Sequence, residues 1–285
     1  MTTDEELRSA VDALSDSVFV TGSGATGRRV AARIAESDVS ATDVLNSPDA
    51  VVVAVDVSDF ADDPTPEIPS VPDALVRIAV VSVPDNPIES ERQVLKALTE
   101  QVGTALLVPG TGVETLTDAI GTLVSIVHDL GIVNIDLADA QTVFESGELA
   151  ALCIGESADG EPAAAIKNAF GALPNGVESD ASYGVLVDVV GPPAMSVGDV
   201  SDAVSTVRNY VGPDAHVIWG GTVDPALESG IQIRLILAGV ENARVAPGDP
   251  CPRCGSSLSV YTLGDRTSTA CESCGFAGVS VRLRD

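Results

Sequence analysis

The stretch Asn134-Ile135-Asp136-Leu137-Ala138-Asp139-Ala140-Gln141-Thr142 decides how this chain is read. It follows an amphipathic helix and opens the next one. It sets two carboxylates three positions apart on a short loop. Residues i and i+3 share a face at a helix start, so Asp136 and Asp139 can address one target together. Two aimed carboxylates suit the orientation of a water or of a metal-bound phosphate. The same residue types are also what a helix favours as N-cap and first-turn acid. Spacing alone leans toward the capping role.

Outward from that loop the chain alternates strands and helices. Upstream, Thr115–Leu130 reads as a helix with Leu116, Ile120, Leu123, Val124 and Val127 on one side. Before it come strands at Val18–Thr21, Ala50–Val55, Arg77–Val83 and Ala105–Val108, with helices at Glu5–Ser15, Arg28–Ser37 and Ile88–Val102. The stretch Asp56–Asp73 holds four prolines and six acids in eighteen residues, the composition of a loop. Alternation of this kind argues for a parallel sheet covered on both faces. Downstream, strands at Ala150–Glu156, Tyr183–Val190, Val217–Val223 and Ile231–Val240, with helices at Glu161–Ala169 and Ser196–Val211, describe a smaller α/β unit with a mixed sheet.

Composition narrows the classes. Hydrophobic residues make up 45% of 285, but aromatics only 3%, so Val, Ala, Leu and Ile must build the core. The net charge is −27, and Lys96 and Lys167 are the only lysines. Such a chain repels nucleic acid and anionic lipid. A chain-wide acid excess with scarce lysine points to a salt-accumulating cell. Met1–Ala10 has neither a basic start nor an apolar run, and no stretch has the ~18 apolar residues of a membrane span, so a cytoplasmic protein is expected.

Five cysteines in a reducing compartment point to metal rather than disulfides. Cys251-Pro-Arg-Cys254 and Cys271-Glu-Ser-Cys274 are separated by sixteen residues, and glycine follows each pair. Two such knuckles joined by β-like residues predict a zinc ribbon. Four thiolates close a tetrahedral shell, so the zinc is structural and Cys251, Cys254, Cys271 and Cys274 are its ligands. A mildly basic ribbon on an acidic chain suits docking to a partner. Cys153 stands apart in a strand and reads as a core residue.

Gly22-x-Gly24-x-x-Gly27 between a strand and a helix has the form of a phosphate loop. Such glycines allow a tight turn and a close approach of backbone N–H groups to phosphate at a helix N-terminus. Read by itself the motif admits a nicotinamide-dependent oxidoreductase. No catalytic constellation accompanies it: the two histidines, His128 and His216, sit in a core-facing helix and at a strand entrance.

The block at 134–142 resembles "NVDFADVKT" of the FtsZ family, the prokaryotic tubulin relatives. Gly184–Pro193 (GVLVDVVGPP) is similar to the family's "GVLVNITGGP", His216–Pro225 (HVIWGGTVDP) to "NIIWGAVIDP", and Ile231–Gly239 (IQIRLILAG) to "IRVTVIATG". The resemblance runs from about Glu114 to Gly239 and leaves the tail from Glu241 uncovered. It implies a Rossmann-like FtsZ/tubulin N-terminal domain (1–113), a central helix (114–133) and a second α/β domain (134–243); the cysteine spacing adds the zinc ribbon at 244–285. It also implies head-to-tail assembly, in which Asp136 and Asp139, with Asn134, act in trans on a neighbour's GTP.

The chain departs from that pattern at the nucleotide. Ala50–Asp56 leads where the family has "GGGTGTG", but the sequence continues VSDFADDPTPEIPS, and no glycine occurs between Gly27 and Gly103. Asp59, Asp62 and Asp63 would repel phosphate. The family's "IPN" turn is Val108-Pro109-Gly110 here. The expectation is a degenerate GTP/GDP site in which Gly22, Gly24 and Gly27 are the remaining phosphate loop. Such a subunit would dock on a conventional FtsZ-type subunit, cap it, or self-assemble; an FtsZ-fold scaffold recruiting a partner through its ribbon is the alternative.

Overall fold

A computed structural model describes residues 18–36, 48–85, 87, 89–128, 131–174, 177, 179, 182–240, 256–263, 266–273 and 277–278. The expected helix at Glu5–Ser15 lies outside them. The first half of the chain runs β1 (Val18–Ser23), α1 (Gly24–Glu36), β2 (Ala50–Asp56), a 3-10 turn (Val57–Phe60), β3 (Val76–Val83), α2 (Glu89–Val102), β4 (Thr104–Pro109) and α3 (Val113–His128). The four strands pair in parallel in the order β1-β2-β3-β4. A parallel strand covered on both faces loses the in–out alternation, and β2 is buried at all seven positions. Val52, Ala54, Ile78 and Val80 pack with Val30 of α1 and with Leu116 and Ile120 of α3. Val51, Val53, Ala79 and Val81 pack on the other side with Val94 and Leu98 of α2.

The second half runs β5 (Gly131–Val133), α4 (Leu137–Phe144), β6 (Leu149–Ser157), α5 (Pro162–Gly171), β7 (Gly184–Gly191), α6 (Val197–Val207), β8 (His216–Val223) and β9 (Ile231–Ala238). Strand β6 joins the sheet in parallel to β4 through Ala105–Leu107. Beyond it the order is β9-β7-β8-β5, with β9 antiparallel to both β6 and β7, so one mixed nine-stranded sheet crosses the molecule. Helices α5 and α6 cover one face of this part through Ile166, Val200 and Val207. The other face carries α4 and shares its apolar cluster with α3: Leu137, Val143 and Phe144 lie with Leu123, Leu152, Leu186 and Ile236. The fold is therefore α/β as expected, but with one continuous mixed sheet in place of two separate ones, and α3 shares its apolar cluster with both halves.

A separate antiparallel sheet follows, β10 (Ser259–Leu263), β11 (Arg266–Ala270) and β12 (Ala277–Gly278). Among the described residues, no helix is long and apolar enough to cross a membrane.

Two differences from expectation bear on the site. Helix α1 begins at Gly24 rather than at Arg28, so the glycine loop is its first turn. Strand β5, with three residues at a sheet edge, is too short for any periodicity to signal it.

Candidate functional site

The glycine pattern has a packing cause at two of its three positions. A Cβ on Gly22 would lie 2.0 Å from the carbonyl oxygen of Gly27, and one on Gly27 2.1 Å from that of Ala54. The end of β1, the first turn of α1 and the end of β2 therefore touch backbone to backbone. Gly24 has φ +77°, a conformation that costs an ordinary L-residue about 1 kcal/mol or more. This is the geometry that exposes N–H groups at a helix start to an anion.

An internal carboxylate fills that position. The backbone N–H of Thr26 donates to Asp59 Oδ2 at 2.6 Å, and the Thr26 hydroxyl donates to Asp59 Oδ1 at 3.0 Å. Asp59 reaches them from the 3-10 turn after β2, and a Cβ on Gly24 would meet its Oδ2 at 2.6 Å. The neighbouring Asp56 is buried. Its Oδ1 accepts the N–H of Ser58 at 3.0 Å, and its Oδ2 accepts the N–H of Gly112 at 2.6 Å, in the turn that opens α3. At the tip of β1 the Ser23 hydroxyl donates to the Glu67 carbonyl at 2.8 Å. Residues 57–75 are thereby strapped across the carboxyl ends of β1 and β2, where open α/β sheets take their ligands. The expected acid-rich loop is real. One of its acids, Asp59, takes the backbone and hydroxyl donors of Thr26 in the first turn of α1.

The loop Asn134–Asp139, the signature loop of the 134–142 block, lies beyond the far end of α3, whose sixteen residues span about 24 Å. Its seat is made by glycines of β8. A Cβ on Gly220 would come within 2.7 Å of Ile135 Cγ1, and Gly131 lies against the Gly221 carbonyl. Ile135 and Leu137 are buried, which fixes the loop, while Asn134 and Asp136 are exposed. The Asn134 Oδ1 accepts the N–H of Gly131 at 2.8 Å, reaching back to the start of β5. Asp136 and Asp139 form a reciprocal capping box: Asp139 N–H donates to Asp136 Oδ1 at 2.8 Å, and Asp136 N–H donates to Asp139 Oδ2 at 3.1 Å. Each carboxylate thus gives one oxygen to the start of α4; Asp136 is exposed and Asp139 half-buried. The structure brings the two acids together on one helix start and gives all three polar residues a local role.

A polar chain that sequence reading did not single out crosses the sheet beside this loop. Asp188 of β7 is 1% exposed, accepts the Thr222 hydroxyl at 2.9 Å, and pairs with Arg234 Nη1 at 3.4 Å. Arg234 Nε donates to Gln232 Oε1 at 2.8 Å, and Gln232 donates to Glu156 Oε1 at 2.7 Å. Thr222 stands opposite Gly131 in the β8–β5 pair, so this chain supports the edge that carries the loop. The signal was one acid in GVLVDVVG and one base in IQIRLILA, each within an otherwise apolar strand.

Of the cysteines, Cys271 is buried directly after β11, while Cys251, Cys254 and Cys274 lie outside the described residues. Cys153 is buried in β6, and burial pushes its thiol pKa up to about 12, so it behaves as a small apolar core group. His128 closes α3 with its Nε2 buried, and His216 is exposed at the start of β8.

Known proteins share parts of this arrangement. Residues 147–241 match the model of the FtsZ family C-terminal domain. The chain is 34% identical over 131 residues to cell division protein FtsZ 1 of Methanocaldococcus jannaschii, covering 45% of this chain and 36% of that one. It is 31% identical over 134 residues to cell division protein FtsZ of Haloferax mediterranei, covering 46% and 35%. The chain thus spans about a third of the length of these relatives in sequence. The fold reaches further. An empty FtsZ dimer from M. jannaschii superposes with a TM-score of 0.61 at 20% identity, over 83% of this chain and 92% of that one. CetZ2 from Haloferax volcanii, solved as a GTPγS-bound protofilament, gives 0.53 at 16% identity, over 84% and 88%. Residues 147–241 thus resemble the FtsZ C-terminal domain in sequence, and most of the chain resembles FtsZ and CetZ2 in fold.

Proposed function

We propose that this chain is a divergent FtsZ-like subunit of a cell-division or cytoskeletal assembly. Its own nucleotide face is closed, and it docks head-to-tail on a conventional FtsZ-type subunit through the end that carries Asn134, Asp136 and Asp139. One observation carries this reading: the N–H and hydroxyl of Thr26 are already bonded to Asp59, while beyond the other end of the sixteen-residue α3 the exposed Asp136 and the half-buried Asp139 each give one oxygen to the capping box. A subunit with that asymmetry offers a donating loop without an accepting site. Seated on a neighbour, Asp136 and Asp139 would orient the attacking water or a cation at that neighbour's phosphate; without the right geometry they would cap the filament.

Two experiments test this. Labelled GTP and GDP, titrated in multimolar KCl with magnesium, are expected not to bind. In co-pelleting with a conventional FtsZ, the chain is expected to enter the pellet and change GTP turnover. Asn and Asp are equally good N-caps, so Asp136→Asn keeps the helix start and removes the carboxylate, whereas Asp136→Ala removes both. If Asp136→Asn alters FtsZ turnover as wild type does, the carboxylate has no part in it.

A second reading has its own support. The three-stranded sheet β10-β11-β12 with Cys271 buried at the end of β11 suits a ribbon in which Cys251, Cys254, Cys271 and Cys274 hold a structural zinc. The ribbon would then recruit a protein partner to the FtsZ-like body. The two readings are compatible. The nicotinamide alternative has less support, because the Thr26 donors of the glycine turn are already bonded to Asp59.

A further inference from the structure

We infer that the segment 57–75 is an intramolecular ligand, and that the Asp59 carboxylate is a resident surrogate for phosphate at the start of α1. The inference deepens the closed-face reading above and rests on it for its biological meaning.

Three anchors hold the segment over the crevice. At its root, Asp56 ties the chain down through Ser58 N–H and reaches across to Gly112 N–H, so the turn opening α3 is held by the same carboxylate. At its crest, Asp59 takes two donors of Thr26, and Phe60 stands beside Gly24, where a Cβ would meet its ring at 3.0 Å. On its return, Glu67 accepts from Ser23, and Ile68, Val71 and Ala74 pack against the buried cluster under α2. Three independent fixings make this a seated segment rather than a loop passing by.

The chemistry at the crest is that of an anion site in use. A carboxylate at a helix N-terminus gains from the aligned N–H groups and the positive end of the helix. Two bonds to a charged acceptor are stronger than two neutral ones. A phosphate entering here would have to displace a tethered anion of the same sign that is present at a high effective concentration. With the occupant built in, the start of α1 holds its liganded arrangement at all times, and the shape of this end does not follow the nucleotide supply.

The test uses the full chain and inorganic phosphate as the probe. Thermal unfolding is measured for wild type, Asp59→Ala and Asp59→Asn, in KCl at constant ionic strength, with phosphate titrated from zero to tens of millimolar. Wild type is expected not to respond. Asp59→Ala, with its Thr26 donors vacated, should melt about 2–6 °C lower and recover saturably with phosphate. Asp59→Asn keeps the shape and one acceptor but loses the charge. It should fold in any case and show a smaller recovery that still exceeds that of wild type. The inference is overturned if both variants melt with wild type, if phosphate stabilises wild type as much as the variants, or if the variants are weakened but phosphate restores neither. None of these results depends on FtsZ, so a failure of co-assembly and a failure of the surrogate are read separately.

Discussion

Removal of the Asp188 carboxylate should cost more than any other single change beside the signature loop. Asp188 is 1% exposed and serves two donors, Thr222 Oγ1 at 2.9 Å and Arg234 Nη1 at 3.4 Å. In Asp188→Ala the guanidinium, whose side chain is only 16% exposed, loses its counter-charge within the sheet. Breaking a buried pair from one side costs about 3–5 kcal/mol. The partial exposure of Arg234 places the value near the lower end, about 3 kcal/mol, and the stranded Thr222 hydroxyl adds about 1 kcal/mol. At 2–4 °C per kcal/mol for a domain of 150–250 residues, Tm should fall by roughly 8–16 °C. Circular dichroism melts of wild type, Asp188→Ala, Arg234→Met and the double variant, in concentrated KCl, measure this. The double variant should recover part of the loss, because no charge is then left unpaired. A fall of less than 2 °C in Asp188→Ala, or strict additivity in the cycle, refutes the reasoning.

Acid should weaken the cap of α6. The Ser196 backbone N–H and hydroxyl hold the Asp199 carboxyl below its ordinary value. A depressed pKa contributes stability above the unfolded value, about 3.9, and loses it as pH falls through the folded value. The stability gap between wild type and Ser196→Ala should therefore be constant above about pH 5 and shrink below about pH 4, as read from melts at each pH. The thiols should titrate in two classes. The zinc-loaded chain is expected to show no fast-reacting thiol toward a disulfide reagent at pH 8. A chelator should release the thiols of Cys251, Cys254, Cys271 and Cys274, and denaturant should release Cys153, whose pKa of about 12 and burial protect it until unfolding.

The parts of this fold that could be read in advance are those in which a residue's partner lies within its own element. Ala50–Val55 could be read as a strand because an unbroken apolar run that short and rich in valine suits a buried strand better than a helix. The face of α3 could be read from Leu116, Ile120 and Leu123, which are all buried. Asp136 and Asp139 could be read as a cap and first-turn pair because the capping box is a local motif. What escaped was non-local. The Asp59–Thr26 contact joins residues 33 positions apart, and nothing in SDFADD says which acid reaches back to the glycine loop. The Arg234–Asp188 pair spans 46 positions and depends on the register of β9 against β7. Strand β5 exists because the Asn134 side chain and the glycines of β8 make a place for three residues, which no propensity announces.

The segment 57–75 and the Asn134–Asp139 loop lie toward opposite ends of one helix, and whether they communicate depends on how α3 is held. Its start is tied to Asp56 through Gly112 N–H, but Leu116, Ala119, Ile120, Leu123 and Ile126 are buried along its length. A rod seated by that many apolar contacts does not shift when one terminal bond is cut, so the disturbance should stay local. Asp56→Asn tests this better than Ala does. Its amide keeps a single acceptor and points an N–H group at one of the two donors, so about 1–3 kcal/mol should be lost despite the matched shape. Hydrogen exchange is expected to rise at Ser58 and Gly112 and to remain unchanged at Asp139 and Ala140, whose N–H groups bond to Asp136. Faster exchange at α4 as well would mean that α3 transmits the state of the crevice. The loop end would then be subject to the strap, and the two ends of this subunit could not be treated as independent.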